Sequence, residues 1–349
     1  MPVRGARINL PEIAMDALVR LVPGQVVGAY QVDSLVGEGA NAQVYLVHHR
    51  TLRSRHALKV LHKVATRKRL RVEQEAVFRD DLRHPNIVPA VEAIDVGGRP
   101  GLVMDHVDGP SLARWFRETD AGLAERLEVL RAVLDGVRYA HGRGVVHRDL
   151  KPSNVLLDTG PGKRWIPRIS DFGIAKALSP EIGRFGGLTT VNTGLGTVGY
   201  AAPEQVRDAS RVDHRADLYA FGCLLYEAAC GVAPFAGLST MDTLQSQQQG
   251  RFRAPQELAP DAPSSLHALL RELLSPRPED RPGSADDVAR RLDQSLAELR
   301  TRSPAPATTR QAAPAPASEG TDAFPYVAGL VTVPALALVI GAIVVLGAS

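Results

Sequence analysis

The chain has 349 residues, 23% of them charged, and a formal net charge of +3, too small for its size to indicate a nucleic-acid partner. Two cysteines, Cys223 and Cys230, argue against a disulfide framework and for a reducing compartment. No internal repeat is present.

In chain order, the first candidate element is residues 11–22, where Ile13, Ala17, Leu18, Leu21 and Val22 fall at helical spacing. No row of cations lines the opposite face, so packing on a protein surface is expected rather than membrane binding. Residues 1–20 lack the apolar run of a secretory leader. Two β-branched apolar runs, 30–36 and 44–47, then flank Gly37-Glu38-Gly39-Ala40-Asn41-Ala42-Gln43-Val44. That arrangement reads as a hairpin whose glycines let backbone approach an anion. Residues 56–61 form a further strand-like run carrying Lys59, one of only six lysines beside 35 arginines. Residues 67–82 are amphipathic and carry Glu73 and Glu75. An apolar run then breaks into a flexible crossing over 102–109.

The densest chemistry lies in His147-Arg148-Asp149-Leu150-Lys151-Pro152-Ser153-Asn154, followed by Asp171-Phe172-Gly173. A transferring phosphoryl group needs a carboxylate to orient the attacking hydroxyl and oxygen ligands for a metal ion. One short loop can hold Asp149, Lys151 and Asn154 around a point, and Asp171 would complete a metal site. These two strings resemble the protein-kinase family, and Lys151, two residues after Asp149, is similar to its serine/threonine-directed branch. The resemblance covers residues 24–298, longer than one compact core usually grows. It implies an α+β, two-lobe protein kinase-like fold: a small β-rich lobe over 24–104 and a larger, mainly α-helical lobe over 108–298. Heavy Arg, Ala and Gly use, with Ala202-Pro203-Glu204-Gln205, resembles the bacterial, eukaryotic-like members.

The resemblance assigns roles residue by residue. ATP is the implied co-substrate, with Mg2+ or Mn2+ held by Asn154 and Asp171. Val36, Gly37, Gly39, Val44, Ala57 and Leu156 would line the nucleotide, with Ala42 where the family often has its third glycine. Lys59 would grip the phosphates, and counting back from His84-Pro85-Asn86-Ile87-Val88 selects Glu75 as its helix partner, with Glu73 as runner-up. Backbone groups of Asp105 and Val107 would meet the adenine edge, and Met104 would guard the pocket behind. Residues 171–204 resemble an activation loop, in which a phosphate on Thr189, Thr190 or Thr193 would pair with Arg148. Thr197 is expected beside Asp149 as a structural residue. Asp217, on a helical pattern over 213–230, would bond the catalytic-loop backbone, and Arg281 would pair with Glu204. Cys223 and Cys230 fall on one face of that helix and read as buried reduced thiols. One departure stands out: Arg79 occupies a position, one turn after Glu75, where the family places an apolar residue. Three readings fit: a register shifted by a residue or two, a contact built from Val77 and Phe78 instead, or a helix undocked at rest.

Residues 284–300 give a last helix with Val288, Leu292, Leu296 and Leu299 on one stripe. Residues 299–323 are rich in Pro, Ala and Thr and form an expected flexible linker. Over 327–347, within an expected transmembrane helix at 324–347, 21 apolar or small residues suffice to span a hydrocarbon layer of ~30 Å. Pro334 predicts a kink that membrane helices tolerate. Arg300, Arg302 and Arg310 precede the span and nothing basic follows, so the kinase-like part is expected on the cytoplasmic side of the cell membrane, with little chain beyond it. Protein substrates with Ser or Thr acceptors are the implied partners, and lateral self-association with trans-autophosphorylation is the expected route to activation. A membrane-tethered pseudokinase and a small-molecule kinase are the rival readings. Competent residues at all the catalytic positions oppose the first, and the peptide-docking look of 199–204 opposes the second.

Overall fold

The computed structural model describes residues 20–39, 42–62, 82–172, 198–207 and 212–302. The expectations for Glu73, Glu75, Arg79, Thr189, Thr190, Thr193, Thr197 and the 324–347 span fall outside them. Among the described residues no helix is long and apolar enough to cross a membrane.

Strands β1 (Val26–Val27), β2 (Tyr30–Glu38), β3 (Ala42–His49), β4 (Arg55–Leu61), β5 (Ala90–Val96) and β6 (Arg99–Asp105) form one antiparallel sheet in the order β1-β2-β3-β4-β6-β5. Alternation sets its two faces. Tyr45 pairs with Leu58, both fully buried, while the adjacent pair Val44 and Lys59 points to the opposite face. Tyr30, Val32, Tyr45, Val47, Leu58, Val60, Val96 and Val103 make the small lobe's own core. Leu21 joins this core, and residues 20–22 are not helical, so the helical spacing expected to reach Val22 does not hold there. Packing against the apolar sheet face fixes Leu21 instead. Strand β1, too short for any periodic signal, was not expected.

Helices α1 (Leu112–Glu118) and α2 (Leu123–His141) follow, then a two-stranded antiparallel ribbon of β7 (Val155–Thr159) and β8 (Trp165–Ile169). Beyond it come α3 (Pro203–Arg207), α4 (Arg215–Cys230), α5 (Thr240–Gln249), α6 (Pro255–Leu258), α7 (Ser264–Leu273) and α8 (Ala285–Arg302). Polar side chains start two of these helices: Ser111 accepts from the Arg114 amide and Ser239 from the Asp242 amide. Gly231 and Gly250, both left-handed, close α4 and α5. Helix α4 is buried on nearly every side, as its continuous apolar sequence requires. The stripe Val288, Leu292 and Leu296 seats α8 on the large core, and the helix runs two residues past the expected Arg300.

The lobes are stitched by more than the 105–109 crossing. Ile87 forms a parallel bridge with Ile169, the Val88 amide donates to the Ile169 carbonyl at 2.9 Å, and the Ile169 amide donates to the Asn86 carbonyl at 2.9 Å. The buried Asn86 side chain donates to the Pro167 carbonyl at 2.8 Å. Gly136 on α2 makes room, since a Cβ there would lie 2.9 Å from the Asn86 carbonyl oxygen.

Candidate active site

A single turn of 3-10 helix, Pro152–Asn154, brings Asn154 back toward Asp149. The Asn154 amide nitrogen donates to the Asp149 carbonyl at 2.8 Å and to its carboxylate at 3.1 Å, and Lys151 Nζ lies 2.9 Å from the same carboxylate. Three groups picked out of one short string therefore converge. Asn154 is 7% exposed, and its own carbonyl accepts from the Ser170 amide at 2.8 Å, tying this turn to the residue before Asp171.

Two of the residues here have left-handed backbone, Arg148 at φ 68° and Asp171 at φ 67°. For non-glycine residues that conformation costs about 1–3 kcal/mol and persists only where surroundings enforce it. Asp217 does so for the first. Its carboxylate accepts from the His147 and Arg148 amides, each at 2.8 Å, and from His141 Nε2 at 2.8 Å. Burial works to raise the Asp217 pKa, but the His141 hydrogen bond, the neighbouring imidazoles and the His147 amide outweigh it and hold the carboxyl below its ordinary value. His147 is fully buried: Nε2 donates to the Ser170 carbonyl at 2.8 Å while Nδ1 accepts from the Asp149 amide at 3.2 Å, which sets its tautomer. Its ring stacks edge-on with Phe172 at 4.6 Å between centroids.

Lys59 Nζ meets the Asp171 carboxylate at 2.7 Å, with both side chains about one-fifth exposed. That bond joins the small sheet to the metal-ligand candidate across 112 residues of sequence. Asn154 and Asp171 offer an amide and a carboxylate oxygen, the hard donors that suit Mg2+, an ion that takes few protein ligands and completes its shell with water and phosphate oxygens. Val88, Met104 and Val107 form a small buried apolar cluster with Ala57, Leu102 and Leu156 against it, side chains of the apolar character an adenine ring requires. Of the other nucleotide candidates, Val44 is half-buried and Val36 is 54% exposed. Gly37 stands opposite Val44 in the hairpin. The Gly39 amide donates to the Ala42 carbonyl at 2.9 Å. The Asp105 amide is taken by the Pro89 carbonyl at 3.1 Å, whereas the Val107 amide and carbonyl bond no described residue.

Around this centre, Arg281 forms a fork onto Glu204 at 2.7 and 2.8 Å, and also donates to the Ser275 and Arg215 carbonyls. Its side chain is fully buried and lies 4.8 Å over the Tyr219 ring. Arg148 Nε is buried and has no partner among the described residues, and its Nη2 is 3.4 Å from the Val212 carbonyl. Cys223 is buried and Cys230 half-buried; both are free, and burial pushes the Cys230 thiol up to about 11.

Sequence reasoning missed several partners. His141 carried no motif, and Gln205 reads as a helix residue although its side-chain amide donates to the Arg148 carbonyl at 2.7 Å. Tyr200 and Glu227, bonded at 2.7 Å, also gave no signal. All three are tertiary pairings between residues far apart in the chain.

Residues 30–292 match the family model described as the protein kinase domain. The DNA damage-responsive serine/threonine-protein kinase RqkA of Deinococcus radiodurans is 37% identical over 281 residues, covering 77% of this chain and 40% of its own length. The serine/threonine-protein kinase Pkn1 of Myxococcus xanthus is 33% identical over 290 residues, covering 82% of this chain and 40% of its own. The chain thus spans about two-fifths of the length of these curated relatives. A crystal structure of the Mycobacterium tuberculosis PknI kinase domain superposes with a TM-score of 0.62 at 26% identity, over 79% of this chain and 99% of that one. With the catalytic loop, Lys59 and Asp171 assembled as described, the chain belongs to the protein kinase family, among its bacterial serine/threonine kinases.

Proposed function

We propose that the chain transfers the γ-phosphoryl group of ATP, with Mg2+ (or Mn2+), to Ser and Thr hydroxyls of proteins. The observation that carries this reading is the convergence of Asp149, Lys151 and Asn154, with Lys59 bonded to Asp171 beside them. Asp149 orients the acceptor hydroxyl and takes its proton as the new oxygen–phosphorus bond forms and the bond to the β–γ bridging oxygen breaks. Lys151, 2.9 Å from that carboxylate, places a compact positive charge where the transferring phosphoryl passes. Lys59 holds the α- and β-phosphates. Asn154 and Asp171 would hold the metal ion, which when bound neutralises charge on the phosphate oxygens.

Radiolabel transfer from ATP to a protein acceptor, with Asp149→Asn as control, tests the proposal. Incorporation should fall by about 10²–10⁴-fold in the variant. Equal incorporation by both proteins, or none by the wild type, would overturn it, the latter in favour of a pseudokinase.

The same reading extends to place and control. The 21-residue apolar stretch at 327–347, with Arg300, Arg302 and Arg310 before it, supports one membrane span with the kinase on the cytoplasmic side. The buried Arg148 Nε, without a partner among the described residues, supports a loop phosphate as its acceptor. Phosphopeptide mapping of residues 184–197 should find label on Thr189, Thr190 or Thr193, deposited by a second copy at the membrane, and its absence there would remove the autophosphorylation step.

A further inference from the structure

On the sheet face turned away from the nucleotide runs a chain of hydrogen bonds that phosphoryl transfer does not itself use. Val44 stands opposite Lys59 and shares its face, so Gln43 and Tyr45 point the other way, where they are 2% and 0% exposed. A buried amide and a buried phenol need partners. The Leu21 amide donates to the Tyr45 hydroxyl at 3.1 Å, the hydroxyl donates to Gln43 Oε1 at 2.6 Å, and Gln43 Nε2 donates to Glu38 Oε1 at 3.1 Å. Glu38 faces Gln43 directly across the hairpin, between Gly37 and Gly39. Its second oxygen lies 3.7 Å from the Arg20 guanidinium. The run therefore starts and finishes on the two residues through which the chain enters the lobe. On the far side of the same turn, His62 Nε2 lies 2.8 Å from the Gly39 carbonyl oxygen, and Arg99 in turn donates to the His62 carbonyl.

A glycine turn that must meet phosphate oxygens gains nothing from its own side chains in holding its height above the nucleotide; its two supports have to come from outside. From this we infer that Gln43 and Tyr45 are positioning residues for ATP, coupling the segment at Arg20 and Leu21 to the glycine turn through Glu38. The inference rests on reading residues 37–44 as the phosphate clamp. Its sense is that order in the entering segment tightens nucleotide binding, while acceptor binding and the chemical step, which depend on the large lobe, stay as they are. Gln43 can serve only in one orientation, because turning its amide over would set two donors against Tyr45 and two acceptors against each other at Glu38.

The test uses the full chain. Binding of a fluorescent ATP analogue and steady-state kinetics are measured for wild type, Tyr45→Phe, Gln43→Met, the double variant and Tyr30→Phe. Tyr45→Phe removes one hydroxyl and leaves the ring filling the core. It should weaken nucleotide binding and raise KM for ATP about three- to tenfold, the scale of one hydrogen bond. At saturating ATP, kcat and KM for the acceptor should stay within about twofold. The double variant should be no weaker than the poorer single one, because both cut one run. Tyr30→Phe is the control: it deletes a hydroxyl from the same core, bonded at 2.6 Å to Glu92 and not to the glycine turn, and should leave ATP affinity unchanged. Wild-type affinity in Tyr45→Phe, equal weakening by Tyr30→Phe, or parallel loss of kcat and acceptor binding would overturn the inference. If Tyr45→Phe fails to fold, Gln43→Met carries the same comparison. A wild type that binds no ATP would overturn the clamp reading itself, and this inference with it.

Discussion

Asp149, Lys151 and Asn154 were legible because their chemistry is local: six residues of chain carry the carboxylate, the ammonium and the amide to one point. Gly109 was legible as a residue and misread in meaning. Sequence reasoning made it a flexible element of the crossing, but the structure gives it a steric task, since a Cβ there would lie 1.6 Å from the Leu157 carbonyl oxygen. The Leu157 amide also donates to the Pro110 carbonyl at 2.9 Å, so that strand cannot withdraw freely. Gly109→Ala should therefore destabilise by about 3 kcal/mol or more, read as a lowered midpoint in urea unfolding; a midpoint equal to wild type would show that the approach relaxes. Arg281 offers a second case. Its fork serves both Glu204 oxygens and three backbone carbonyls at once, which a single ammonium cannot reproduce. Arg281→Lys should lower stability by about 3–5 kcal/mol, and a shift under 1 kcal/mol would mean that Glu204 finds another partner.

At the scale of the element, α4 carries two carboxylates, Asp217 buried and Glu227 half-buried, shifted in opposite senses. Asp217, bonded by two amides and His141, sits below its ordinary 3.8; Glu227, where burial outweighs the Tyr200 hydrogen bond and the nearby Arg117 and Arg126, sits above its ordinary 4.5. The signs of their linkage to folding follow. Asp217 adds stability that is present above pH 3.8 and lost as pH falls through its depressed value. The contribution of Glu227 is present below pH 4.5 and lost as pH rises through its raised value. Glu227→Gln keeps an acceptor for the Tyr200 hydroxyl and removes the half-buried, partly desolvated charge. It should therefore raise Tm at pH 8 and leave it nearly unchanged at pH 4, and thermal melts at both values check this; a fall at pH 8 would contradict it. Asp217→Asn should lower Tm at pH 7, because an amide cannot accept from both catalytic-loop amides and His141, and kcat should fall with it as Arg148 loses what holds its backbone left-handed. The helix itself was plain from its apolar run, and Asp217's task came with the family resemblance. His141 was not foreseeable, because its partner lies 76 residues away and nothing in α2 marks it. Strand β1, two residues long, and the register shifts between β2 and β3 at Val32/Ser34 and Leu35/Gly37 were equally hidden, because pairing between strands leaves no local pattern in the sequence.

For the whole molecule, the apolar stretch at 327–347 is the proposed link between place and activity. Deleting residues 323–349 should move the protein from the membrane to the soluble fraction and lower activation-loop phosphorylation at equal expression, and unchanged loop phosphorylation would separate anchoring from activation. The seam of Asn86, Ile87 and Val88 on β8 has a different consequence. A chain cut within the crossing at His106 would yield an upstream fragment that still presents its own strand-like edge, with the buried Ile87 and the Asn86 amide, to the downstream one. The two halves should therefore meet along this seam without a covalent joint, and fusing them to a pair of associating proteins should make the proposed phosphoryl transfer report on that association.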